Sequence, residues 1–192
     1  MLFRSVKLLE SIAKSGPAAA AGVEYPASRL GQSLREIARV IKADAGLEVA
    51  FADTTGWDTH AGQAQRLEGL LGDFAKSLAA FHQDLGSRMA EVTVVTMSEF
   101  GRTAKENGTR GTDHGHGNAM FALGGGVSGG VVHGRWPGLG ADQLYEGRDL
   151  AVTTDYRTVL AEALTACGLA AAKGFPQGGG GPTLGLFDPA VG

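Results

Sequence analysis

Two short apolar runs rich in β-forming residues, 47–52 (LEVAFA) and 92–97 (VTVVTM), flank one long amphipathic segment over 61–85. In that segment Leu67, Leu70, Leu71, Phe74, Leu78, Phe81 and Leu85 recur at helical spacing and form one apolar stripe. Strand, helix and strand in this order argue for parallel strands joined by a right-handed crossover. The second run is apolar at successive positions, as expected of a strand covered on both faces. The expected fold class is therefore α/β, with a layered, mostly parallel sheet and helices on both faces.

The flanking sequence fills in this plan. Residues 1–15 are patterned as a short amphipathic helix, and 16–27 read as a linker, so 1–27 stand apart from a domain over 28–192. From Ser28, a plausible N-cap, the residues Leu30, Leu34, Ile37, Val40 and Ile41 mark a helix that Gly46 ends. Short strands are expected at 119–123 and 131–133, and a helix at 155–167 that begins on Asp155. Cys167 falls in the apolar pattern of that helix and reads as a small buried hydrophobe.

Composition excludes several function classes. Hydrophobic residues make up 43% of the 192, enough for a buried core. The net charge is −3 and the 17 basic residues are scattered, which argues against nucleic acid or a membrane surface as partner. No apolar run approaches the roughly 20 residues of a membrane span. Residues 1–21 lack the unbroken apolar region of an export signal, so the chain as written reads as cytoplasmic.

Ligands of open α/β sheets bind outside the carboxyl ends of the strands. Two polar loops, 53–60 and 98–118, leave the expected strands at that end. They carry Gly56-Trp57-Asp58-Thr59-His60, Ser98-Glu99-Phe100-Gly101-Arg102-Thr103 and Asp113-His114-Gly115-His116-Gly117. Carboxylate oxygen with imidazole nitrogen suits zinc or manganese, and less well calcium or magnesium. Each residue also has a structural reading. Asp58 and Asp113 suit turn or helix caps, and His60 suits the first turn of the following helix. Arg102 is either a planar clamp for an anion or the partner of Glu99 or Asp113. His82, His133 and Asp155 read as structural. Ser98 lacks the frame of a nucleophile elbow, and Gly124-Gly125-Gly126 lacks the Lys-Ser/Thr ending of a phosphate loop.

In this order, together with Gly124-Gly125-Gly126-Val127 and Thr153-Thr154-Asp155-Tyr156-Arg157, the three clusters resemble a bacterial family catalogued as domain of unknown function fifteen-oh-one. The resemblance covers about 28–190. That family looks like a branch of the alkaline phosphatase and sulfatase superfamily, and its own members often begin with an export signal, which implies a periplasmic place. The resemblance implies an alkaline-phosphatase-like sheet. It also implies metal ligands at Asp58 and His60, with a later acid–His set at Glu99, Asp113 and His114. Phe100 stands where a His is expected, and Asp113-His114 supplies the pair a little later, so Glu99 and Asp113 both stand as candidate acids. Arg102 would bind non-bridging oxygens of a small anionic ester, and His114 or His116 would be a ligand or a proton donor, His116 being the candidate catalytic group.

The upstream region that carries the superfamily's nucleophile has no counterpart here. The resemblance thus covers a C-terminal half, and the expected domain is incomplete. Such a chain is expected to form a homo-oligomer or to join a missing N-terminal half, and to be inactive alone. Two functions follow: a metal-dependent phosphate or sulfate ester hydrolase, or a non-enzymatic relative serving as a binding or assembly module.

Overall fold

A computed structural model of the chain describes residues 12, 14, 16–170, 175 and 182–187. The helix expected over 1–15 and most of the Gly-rich tail lie outside the described residues. The chain divides into two compact units, 1–87 and 88–192.

The first unit is a helical pair. Helix α1 (Arg29–Lys42) starts where Ser28 Oγ accepts the Gly31 N–H at 3.1 Å, which satisfies one of the orphan donors of the first turn. Helix α2 (Gln63–Leu85) carries the long stripe. Leu30, Leu34 and Ala38 of α1 and Ala80, Phe81 and Leu85 of α2 are buried. The stripe is covered best at its C-terminal end, and Leu71 remains 50% exposed. Beside this core sits a buried carboxylate. Asp84 accepts Lys42 Nζ at 2.6 Å, the Ala20 N–H at 2.7 Å and the Tyr25 hydroxyl at 3.0 Å. These bonds fasten the 17–27 segment to the helices and satisfy a charge that burial alone would make costly.

The second unit begins within a 3₁₀ turn (Gly86–Glu91). Strand β1 (Thr93–Val95) pairs antiparallel with β4 (Ala122–Gly124), and β2 (Gly101–Arg102) pairs antiparallel with β3 (His114–Gly115). Helix α3 (Tyr156–Ala166) is capped by Asp155, whose carboxylate accepts the Arg157 N–H at 2.9 Å. Met89, Leu144, Val159, Ala163 and Leu186 form the core, and Glu162 binds the backbone N–H groups of Leu184 and Leu186. No helix among the described residues is long and apolar enough to cross a membrane.

This overturns the expected layered, mostly parallel, alkaline-phosphatase-like sheet. Among the described residues there are three helices of more than two turns and two small antiparallel sheets. The reason lies in pairing. LEVAFA forms no ladder, and the residues of the VTVVTM run are half-buried rather than enclosed, apart from the exposed Met97. The chain returns from β1 to β4 and pairs backwards: Thr93 opposes Gly124 and Val95 opposes Ala122. Gly124 permits this close return, since its φ is +135° and a Cβ there would lie 1.9 Å from the Val92 carbonyl oxygen. Two further expectations fail locally. Residues 131–133 form no strand, and Val132 is 98% exposed. Cys167 is exposed rather than buried, because it caps the end of α3, past the last buried turn.

Candidate functional site

In the first unit, the 53–60 loop sorts its residues by alternation. Thr59 is buried, and the Trp57 ring packs edge-on against Phe74 with centroids 6.0 Å apart. With Trp57 and Thr59 held inward, the intervening Asp58 and His60 stand out in solvent. Asp58 Oδ1 lies 2.9 Å from His60 Nε2, and both side chains are about half exposed. The two predicted ligands are therefore brought together as a carboxylate–imidazole pair. A groove of about 620 Å³ in this unit, lined by Glu24, Tyr25, Glu68, Asp73 and Lys76 among others, holds neither of them.

In the second unit the β2–β3 pair sets Arg102 opposite His114. The His114 ring stacks on Phe100, with centroids 4.1 Å apart and planes 9° apart. The Arg102 guanidinium lies 5.6 Å from the same Phe100 ring centre. Thr112 holds the guanidinium: its hydroxyl accepts Arg102 Nε at 3.0 Å, and its carbonyl accepts Nη2. Asp113 accepts Asn107 Nδ2 at 3.0 Å, and its backbone bonds Thr103 through both N–H and C=O. Glu99 is exposed at the end of the run that follows β1.

His116 sits differently. Its Nδ1 lies 2.6 Å from Asp149 Oδ2, its side chain is 53% exposed, and the Asp149 side chain has no exposure at all. A carboxylate only accepts hydrogen bonds, so Nδ1 carries the proton and Nε2 of the neutral ring is left as an acceptor. Arg148 lies beside the same carboxylate, with Nη2 donating to Oδ2 at 3.0 Å. Burial pushes the Asp149 carboxyl up, but the hydrogen bond to His116 and the Arg148 charge outweigh it and hold it below the usual carboxylate range. The Tyr145 ring meets the imidazole edge-on at 4.7 Å.

The local chain explains this placement. Tyr145–Asp149 is a tight hairpin: the Tyr145 N–H donates to the Asp149 carbonyl and the Asp149 N–H to the Tyr145 carbonyl, at 2.9 and 3.0 Å. Glu146 and Gly147 supply the two positive φ angles that such a turn requires. The hairpin end is then held on two sides, by the Ala104 N–H to the Arg148 carbonyl at 3.0 Å and the Gly117 N–H to the Leu150 carbonyl at 3.1 Å. Gly101 and Gly117 allow these segments to meet, since a Cβ on Gly101 would lie 2.0 Å from the Gly117 carbonyl oxygen.

Asp149 and Tyr145 carry no signal in the sequence. Glu146-Gly147-Arg148-Asp149 looks like an ordinary polar turn, and its partner His116 is 33 residues away.

The family described as "Protein of unknown function (DUF1501)" matches residues 17–168, and this chain belongs to it. Neither a curated protein nor a solved structure matches the chain.

Proposed function

We propose that this chain is a metal-binding, hydrolase-type protein acting on small anionic esters, with His116 as the group that moves the proton. The observation that carries the reading is the 2.6 Å contact between His116 Nδ1 and the fully buried Asp149. An exposed imidazole whose other nitrogen is fixed on a carboxylate has one tautomer and one orientation, which general acid–base catalysis requires. As water attacks phosphorus or sulfur, Nε2 takes its proton, the ester P–O or S–O bond breaks in line on the opposite side, and the departing oxyanion takes its proton from solvent. Arg102, its fork held by Thr112, is the candidate for the anionic oxygens.

Asp58 and His60 fit a divalent ion. Their donor atoms are 2.9 Å apart, near the roughly 3.3 Å edge of a tetrahedral zinc site with ligands at about 2.0–2.1 Å. Glu99, Asp113 and His114 are the second unit's candidate donors. A bound ion of this kind acts as a Lewis acid on a phosphoryl or sulfuryl oxygen.

The test is hydrolysis of p-nitrophenyl phosphate and p-nitrophenyl sulfate with added zinc or manganese. His116→Ala should lower turnover by about 10²–10⁴-fold, and substitution of the exposed His82 on α2 should leave it unchanged. The expectation of inactivity rests on an alkaline-phosphatase-like sheet that the described residues do not form, so the chain is assayed as it stands. Absence of turnover in the parent, or equal loss in both variants, overturns the reading. A second reading, a non-enzymatic assembly module, has its own observation: Leu47, Val49 and Phe51 are exposed together.

A further inference from the structure

Residues 47–52 combine three properties that a segment of a finished surface does not share. Their composition is that of a strand, with Leu47, Val49 and Phe51 alternating with Glu48, Ala50 and Ala52. Their backbone runs without helix, turn or bend, and none of its N–H or C=O groups is hydrogen-bonded to the described residues. Their large side chains face water: Leu47 is 40%, Val49 68% and Phe51 85% exposed. The segment is bounded at both ends by α1. Gly46 turns the chain out of α1 at φ +71°, and Asp53 is tied to Arg29 of α1 by an ion pair of 2.9 Å. A bend-free run of strand-forming residues with open backbone groups is a template for another strand.

We propose that residues 47–51 pair antiparallel with the same residues of a second copy of this chain, about a two-fold axis at Val49. The sequence is self-complementary in that register. On one face Leu47 opposes Phe51 of the second copy, Val49 opposes Val49, and Phe51 opposes Leu47, so every cross-strand pair is apolar. On the other face Glu48 opposes Ala50, so the two Glu48 carboxylates stand diagonally rather than directly opposite each other. Parallel pairing in register would instead set Glu48 beside Glu48, a like-charge pair. The interface is isologous, as a two-fold dimer requires. Five residues span roughly 17 Å, and two-stranded ribbons of that size are marginal alone. The dimer therefore depends on concentration.

The experiment uses the full chain. Sedimentation velocity over a hundredfold concentration range should show a monomer–dimer equilibrium. Val49→Lys sets two like charges opposite each other at the axis and should weaken association at least about tenfold. At concentrations where both are monomeric its melting curve should match the parent, because the side chain is exposed. Cysteine variants then read the register in a Cys167→Ser background, which removes the native exposed thiol. Val49→Cys should give a disulfide-linked dimer under mild oxidation, since directly opposed residues lie within the Cα span of a disulfide. Glu48→Cys should crosslink far more slowly. A parent that stays monomeric throughout overturns the proposal. So does association that Val49→Lys leaves unchanged, or equal crosslinking at 48 and 49.

Discussion

His116 Nδ1 and Asp149 Oδ2 are 2.6 Å apart, and the carboxylate half of this pair has no contact with solvent. The pair is asymmetric: one partner is buried and fixed by a hairpin, the other presents its second nitrogen to water. That asymmetry makes Asp149 a positioning residue. Asp149→Asn keeps the shape but offers an amide N–H where Nδ1–H was donated. The ring should respond by moving its proton to Nε2. The ¹⁵N shifts of the His116 ring should show the change of tautomer directly, and ester turnover should fall by about 10²–10⁴-fold. An unchanged tautomer in the variant would refute the positioning role whatever happens to activity.

The close approach of Gly101 to Gly117 predicts a stability effect. A methyl group on Gly101 would overlap the Gly117 carbonyl oxygen at 2.0 Å, and that neighbour is backbone with little room to give. Gly101→Ala should destabilise the second unit by about 1–3 kcal/mol. It should also disturb the His116 ring resonances, because Gly117 follows that residue. By contrast Gly72→Ala in α2, where the added methyl meets nothing within 4 Å, should be neutral or stabilising by up to roughly 1 kcal/mol. Urea denaturation of the two variants checks both signs.

These particulars show what the sequence held and what it did not. Helix starts were legible because a cap is local: Ser28 and Asp155 each bond an N–H within three residues. The stripe of α2 was legible because its period lies within the helix. Strand pairing was not legible, because a strand is completed by a partner remote in sequence. LEVAFA has the composition of a strand yet finds no ladder among the described residues, and VTVVTM pairs backwards through Gly124 rather than forwards through α2. Asp58 with His60 could be seen as a pair, being two residues apart. The tie from His116 to Asp149 could not, since it crosses 33 residues and ends on what reads as a turn.

Asp84 gives a pH dependence with a definite sign. Burial raises its carboxyl, but the bonds from Lys42, the Ala20 N–H and Tyr25 outweigh burial and leave it below its ordinary value. A depressed folded value contributes stability above the unfolded value, near 3.9. That contribution is lost as pH falls through the folded value. Lys42→Met removes the cation and leaves a buried carboxylate, at a cost of about 3 kcal/mol near pH 7. Protonation relieves that cost, so the gap between parent and variant should narrow as pH falls from 7 to 4. A gap that stays constant in urea titrations across this range would show that the ion pair is not its source.

The last prediction concerns metal at Asp58 and His60. Their donor atoms stand 2.9 Å apart, with both side chains about half exposed. The loop fixes them on one side because Trp57 and Thr59 are turned inward, so little ordering is left to be done on binding. Two exposed donors compete with water for an ion, so binding by this pair alone should be weak. It should also weaken with acid, because the imidazole must be deprotonated to ligate. Loss of even an outer-sphere partner costs 10–100-fold in metal affinity in well-studied sites, so loss of a direct donor should cost at least about tenfold. Calorimetric titration of the chelator-treated chain with zinc and then manganese should therefore show His60→Ala and Asp58→Asn each weakened by that factor, with His82→Ala unchanged. Glu99→Gln, Asp113→Asn and His114→Ala, titrated separately, report whether the second unit's candidate donors also bind metal. If His60→Ala and Asp58→Asn bind like the parent, the pair is a surface ion pair that helps to shape the start of α2 and is not a metal site.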